Sequence, residues 1–126
     1  MRILHTMLRV GNLQRSIEFY TSMLGMQLLS STEYPEGRFT LVFLGYPEEP
    51  KGAQLELTYN WDIKKYDKGD GYGHLAVAVP DVYQACERIK RMGGDVIREA
   101  GPMKHGSTIL AFVKDPDGYL IELLTE

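Results

Sequence analysis

The chain has 126 residues, 44% hydrophobic composition and a formal net charge of -3, enough to bury one core and within the usual size of a single domain. No basic run is longer than Lys64-Lys65, which excludes the electrostatic footprint of a nucleic-acid binder. The longest apolar runs, Leu75 to Val79 and Ile109 to Val113, are too short for a membrane span or a signal segment.

A first strand is expected near 2–10, followed by a helix that starts at Asn12, carries Leu13, Ile17, Tyr20 and Leu24 at helical spacing, and stops at Gly25. Asn12 suits the N-cap because its side-chain oxygen can accept a free N–H of the first turn. Strands are then expected near 26–34, 38–45 and 53–60, with the longer connection Tyr46 to Gly52 between the last two. A shift of 69 positions brings His5 onto His74, Val10 onto Val79, Asn12 onto Asp81 and Gly25 onto Gly94. The second half accordingly predicts strands near 72–79, 95–99, 107–114 and 119–125, and a helix from Asp81 to Gly94 bearing Val82, Cys86 and Ile89. Asp115-Pro116-Asp117-Gly118 has the composition of a tight reversal, so the last two strands should form a hairpin. Each half reads β-α-β-β-β. The expected fold is α+β, a single domain over 1–126 built from modules at about 1–62 and 70–126.

The one cysteine, Cys86, excludes an internal disulfide and suits a reducing compartment, so a cytoplasmic protein is expected. Because it aligns with Ile17 on the helix, it reads as a small buried hydrophobe, not a nucleophile. Gly71-Tyr72-Gly73-His74-Leu75-Ala76 matches a dinucleotide-binding fingerprint in spelling only. It leads into a strand, whereas that fingerprint must follow a strand and open a helix.

Two of the three histidines, His5 and His74, occupy equivalent places on the first strand of each module, and Leu55-Glu56-Leu57 is matched by Ile121-Glu122-Leu123 near the end of the last. Strand alternation puts each glutamate on the face opposite its flanking aliphatics. A bare carboxylate beside Leu120 and Leu124 needs compensation, which a bound cation would supply. One such histidine or glutamate would be unremarked on a strand; four at symmetric positions point to a shared role. Two imidazoles and two carboxylates suit Ni²⁺, Co²⁺ or Zn²⁺, and the lack of thiolates argues against Cu(I) or a closed structural zinc site. An octahedral ion held this way keeps two open positions. These suit an α-hydroxy carbonyl substrate whose adjacent carbon loses a proton.

Arg9 stands four residues from His5 and Asn60 four from Glu56, each on the ligand's side of its strand, a span of roughly 13 Å. That reach suits a peptide-like thiol with a distal carboxylate, anchored by Arg9 and hydrogen-bonded by Asn60. Lys104, in the Gly101 to Gly106 loop, is a second candidate for an anionic group, and the neighbouring His105 is expected to be exposed.

The segments Leu4-His5-Thr6-Met7-Leu8-Arg9-Val10, Leu55-Glu56-Leu57-Thr58, Gly73-His74 and Asp115-Pro116-Asp117-Gly118-Tyr119-Leu120-Ile121-Glu122 together resemble the vicinal oxygen chelate superfamily and, within it, the short bacterial form of the glyoxalase I family. The resemblance implies that His5, Glu56, His74 and Glu122 ligate the metal and that Glu122 is the base, with Glu56 its pseudo-symmetric catalytic counterpart. It implies a lyase that isomerises the hemithioacetal of methylglyoxal and glutathione to S-lactoylglutathione. It also implies a homodimer whose sites each take His5 and Glu56 from one chain and His74 and Glu122 from the other. The absence of the insertions found in zinc-preferring members favours Ni²⁺ or Co²⁺ over Zn²⁺. Zinc-type members carry an arginine four residues before the second histidine, and here that position is Asp70. Rival readings within the superfamily are a fosfomycin thiol transferase or an extradiol dioxygenase, which use two histidines and one carboxylate. A metal-free drug-sequestering protein of the bleomycin-binding type is a third, and it has no reason to keep four ligands.

Overall fold

The internal repeat is laid out as two four-stranded sheets in the computed structural model, which describes residues 1–126. The chain divides into two compact units, Met1–Asp67 and Lys68–Glu126. The first contains β1 (His5–Arg9), β2 (Gln27–Tyr34), β3 (Phe39–Gly45) and β4 (Gln54–Asn60), in the spatial order β1-β4-β3-β2. The second contains β5 (Leu75–Ala78), β6 (Asp95–Pro102), β7 (Ile109–Lys114) and β8 (Leu120–Leu124), in the order β5-β8-β7-β6. In each unit the first and last strands run parallel and the other pairs antiparallel. A parallel pair needs a long crossover, and the intervening helix and two strands provide it. The α+β reading therefore holds.

Alternation decides which side chains each sheet buries. Leu55 and Leu57 on β4 are buried with Leu8, Val42 and Leu44, under Phe19 and Tyr20 of the first helix. In the second unit Ile121 and Leu123 are buried with Ala111 and Val113, under Val82, Cys86 and Ile89. Full burial of such an aliphatic side chain contributes about 1.5–3 kcal/mol, so these two clusters fix the face of every strand residue between them. Cys86 is a core residue as expected, although Ile17, with which it aligns, is itself only half-buried, and burial pushes the thiol up from the ordinary value. No helix is long and apolar enough to cross a membrane.

Both helices start as expected. Asn12 accepts from the Arg15 N–H and Asp81 from the Gln84 N–H, each at 3.0 Å. Their ends differ from the sequence expectation. α2 (Val82–Arg91) is capped by Met92, and the residue with positive φ is Gly93 (φ 84°), not Gly94. The Gly93 N–H donates to the Lys90 carbonyl and the Gly94 N–H to the Ile89 carbonyl, a Schellman closure that requires the left-handed residue at Gly93. The first helix is α-helical only over Leu13–Glu18 (α1) and continues as a π turn over Phe19–Met23 before Gly25 (φ 71°). The N-caps are 69 positions apart but the two left-handed glycines are 68 apart, so the first copy holds one extra residue. The wider π turn accommodates it, and the Met26 N–H accordingly reaches back to the Tyr20 carbonyl.

The Asp115 to Gly118 reversal forms as expected. Asp115 Oδ1 accepts from the Asp117 and Tyr119 N–H groups, and Gly118 takes a φ of 89°. Strand β6 runs on to Pro102, beyond the expected limit at residue 99, with its register against β7 shifted between Val96 and Arg98 and again between Arg98 and Gly101. Strand β5 begins at Leu75, so the Gly71 to Ala76 stretch does lead into a strand.

Candidate metal centre and substrate anchors

Each unit brings one imidazole to one carboxylate. In the first, β1 and β4 are paired with Met7 opposite Glu56, which places His5, two residues back on the same face, beside that glutamate. His5 Nε2 lies 3.3 Å from Glu56 Oε2. In the second, Ala76 is opposite Glu122, and His74, again two residues back, sits with Nε2 3.0 Å from Glu122 Oε2. The same register offset thus builds both pairs. The glutamate side chains are only 13% and 15% exposed, whereas the histidines are 41% and 42% exposed. A nearly buried carboxylate beside a half-open imidazole is a donor set with room for a third party on its outer side.

Both pairs share a wall that the sequence reading did not identify. Phe43, the register partner of Glu56, packs edge-on to His5 with ring centroids 5.5 Å apart, and Phe112, the partner of Glu122, packs against His74 at 5.3 Å. The signal was present in the sequence, since Phe43 and Phe112 are themselves 69 positions apart. These edge contacts restrict ring rotation and keep each imidazole over its glutamate.

No group of three or more histidine, cysteine, aspartate and glutamate side chains converges within either unit. The four expected ligands are therefore found as two pairs, one per unit.

The expected anchors fall as follows. Arg9 ends β1 opposite Thr58, exposed, on the His5 face. Asn60 ends β4, and its Nδ2 donates to the Tyr66 hydroxyl at 3.0 Å, a partner six residues on that no periodicity could have indicated. Lys104 and His105 are exposed in the turn between β6 and β7. Asp70 is exposed in the segment before β5. Tyr72, two residues before His74, donates its hydroxyl to the Leu120 carbonyl at 2.9 Å and lies edge-on to Tyr119. Its phenol is pushed up to about 12, first by burial and then by the Asp115 carboxylate. A cavity of about 610 Å³ runs along the outer side of α2 from Val79 to Arg91, and neither histidine–glutamate pair lines it.

Residues 2–123 match the family described as the Glyoxalase/Bleomycin resistance protein/Dioxygenase superfamily. The chain belongs to this superfamily. It is 64% identical over 124 residues to a lactoylglutathione lyase from Neisseria meningitidis, covering 98% of this chain and 90% of that one. It is also similar to glyoxalase I from Zea mays, with a TM-score of 0.95 and 48% identity over 99% of this chain but only 44% of the longer maize chain. The trypanothione-dependent glyoxalase I of Leishmania major superposes with a TM-score of 0.88 at 46% identity, covering all of this chain and 87% of that one. Within the superfamily, the relatives at high identity are thus lyases of the glyoxalase I kind.

Proposed function

We infer that this chain is a glyoxalase I, isomerising the hemithioacetal of methylglyoxal and glutathione to S-lactoylglutathione. The observation that carries this reading is near-full-length identity to lactoylglutathione lyases, in a chain whose two units each hold a histidine–glutamate pair at the same register. Its single buried cysteine suits a cytoplasmic location.

His5, Glu56, His74 and Glu122 are proposed to hold one divalent ion per site. Imidazole nitrogen and carboxylate oxygen fit Ni²⁺ or Co²⁺, our preferred ions, and also Zn²⁺. Such an ion supplies Lewis-acid stabilisation of the negative charge that develops on the two substrate oxygens. Because each unit contributes only one pair, a homodimer in which one chain supplies His5 and Glu56 and its partner His74 and Glu122 is the assembly we propose. Residues 1–126 act in it as one functional domain of two modules.

Glu122 is the proposed base. Its carboxylate takes the proton from C1 of the hemithioacetal and delivers it to C2, while the proton of the C1 hydroxyl passes to the C2 oxygen, so the net change is an isomerisation that needs no external oxidant or reductant. The two aliphatic neighbours on its own face of the strand, half-buried Leu120 and Leu124, limit water around the carboxylate while it carries that proton. Glu56 is its pseudo-symmetric counterpart. Arg9 and Lys104 are proposed to meet the carboxylates of the thiol. Asn60, one of whose two amide N–H groups is held by Tyr66, offers its carbonyl oxygen to an N–H of the thiol's peptide backbone.

The test is lactoylglutathione formation by chelator-stripped protein with Ni²⁺ and Zn²⁺ restored separately. Activity with Ni²⁺ but not Zn²⁺ supports reaction and metal class together. A folded protein that binds metal yet makes no product with either ion would refute the substrate assignment.

A further inference from the structure

We propose that Arg98 is a positioning residue for the loop that presents Lys104 to substrate. This rests on the reading of Lys104 as an anchor for an anionic group of the thiol. The guanidinium of Arg98 donates to four backbone carbonyls: the two N–H groups of Nη1 are shared among Glu99 at 3.0 Å, Gly101 at 2.9 Å and Leu110 at 2.8 Å, and Nη2 donates to Pro102 at 2.8 Å. Three of these carbonyls belong to β6 and one to β7. Glu99 lies inside the break in β6–β7 register between Arg98 and Gly101, where the ladder is interrupted, and Gly101, Leu110 and Pro102 are residues with which pairing resumes. A planar fork with five N–H donors can serve several carbonyls at once, whereas an ammonium group is a single point with three.

The four bonds fix the strand ends from which the loop springs. At these residues the ladder resumes, Gly101 opposite Leu110 and Pro102 opposite Ile109, and beyond it the Met103 N–H donates to the Thr108 carbonyl at 2.9 Å. Lys104 stands two residues past Pro102, the last carbonyl that Arg98 holds. The neighbouring carboxylate does not compete for the guanidinium, because Glu99 is paired with Lys90 of α2 at 2.6 Å. A full positive charge is therefore spent on bending one strand, at the root of one exposed loop, on the unit that carries His74 and Glu122.

If Arg98 acts through Lys104, its loss should weaken substrate capture and leave the proton transfer alone. The experiment measures kcat and KM of the metal-loaded enzyme for the methylglyoxal–glutathione hemithioacetal in Lys104→Ala, Arg98→Met, Arg98→Lys and the double variant Arg98→Met/Lys104→Ala. Raised KM with kcat within about twofold is expected for each single variant, about tenfold for Lys104→Ala and for Arg98→Met, with only partial rescue in Arg98→Lys. The double variant should have a KM no higher than the worse single, since both changes remove one interaction. Multiplying effects, or a fall in kcat at unchanged KM, would overturn the inference. Wild-type KM in Lys104→Ala would instead remove the anchor reading and this inference with it. A raised KM in Lys104→Ala with wild-type KM in both Arg98 variants would sink the positioning role alone. Failure of both Arg98 variants to fold would make Arg98 a requirement of the fold and likewise overturn it.

Discussion

Replacing Tyr72 by Phe deletes one hydroxyl and leaves the ring against Tyr119. At neutral pH the loss is the hydrogen bond to the Leu120 carbonyl, formed at 2.9 Å in a half-buried setting, and it should cost about 1 kcal/mol. The same hydroxyl makes the cost depend on pH. The phenol is pushed up from 10.0 to about 12, by burial and then by the Asp115 carboxylate, so the folded chain keeps this proton to a higher pH than the unfolded chain. Its stabilising contribution is therefore complete below the unfolded value and is lost as the pH rises from about 10 to about 12. Two pH units would be worth about 2.7 kcal/mol for a sealed group. This one is partly open to solvent, and screening reduces the figure to about 1 kcal/mol, in line with the hydrogen-bond value. Wild type should thus be more stable than Tyr72→Phe by about 1 kcal/mol at pH 8, with the gap closing towards pH 11. Urea unfolding of both proteins at one protein concentration, at several pH values across this range, reads the gap from the midpoints. A gap that is absent at pH 8, or constant up to pH 11, would refute the reasoning.

Glu122→Gln should keep most of the bound metal and lose activity by about 10²-fold or more, because the amide cannot carry a proton between two carbons; near-normal turnover would remove Glu122 from the role of base. His5→Ala and His74→Ala should each lower metal content after dialysis, and unchanged content in both would count against the proposed ligand set. Gly11→Ala places a Cβ 2.0 Å from the Lys64 carbonyl oxygen, a backbone atom, so the segment that carries Tyr66 must move. We expect a loss of about 2 kcal/mol or more by thermal or urea unfolding, and a wild-type midpoint would show that this close approach is not needed. Asp81→Ala removes the bond to the Gln84 N–H and should cost about 1 kcal/mol, whereas Asp81→Asn should be nearly neutral by the same assay.

The parts of the fold that were legible in the sequence are those set by short-range rules. Asn12 and Asp81 announce helix starts because capping is a matter of three residues, and Asp115 to Gly118 announces a hairpin because a tight turn has few solutions. The histidine–glutamate pairs were legible for another reason. The repeat makes two independent copies of one pattern, so a coincidence in one is checked by the other. The same comparison contained Phe43 and Phe112, which the chemistry of ligands had overshadowed. It also misled at the helix ends, where Gly25 aligned with Gly94 although the left-handed residue is Gly93. Nothing in Phe19 to Met23 marks a π turn, since all five residues are ordinary helix occupants, and only the backbone closure reveals it. The cage around Arg98 and the Asn60–Tyr66 bond depend on where distant backbone passes, which no local pattern encodes.

The extra residue near the end of the first helix has a further meaning. In a regular α-helix one inserted residue turns everything downstream by about 100° and advances it by about 1.5 Å. Leu24 would rotate away from the sheet, and the chain would enter β2 out of step. Widening a single turn keeps that rotation local, and the spacing between copies, 68 at the left-handed glycines, has returned to 69 by Phe43 and Phe112. The two halves thus differ in length at a helix end, in the irregular β6 and in the connection before the last strand, where the spacing falls to 66 at Glu56 and Glu122, while each glutamate still stands two residues beyond the register of its histidine. The two halves can therefore differ in length and still keep the matched placement of their polar pairs.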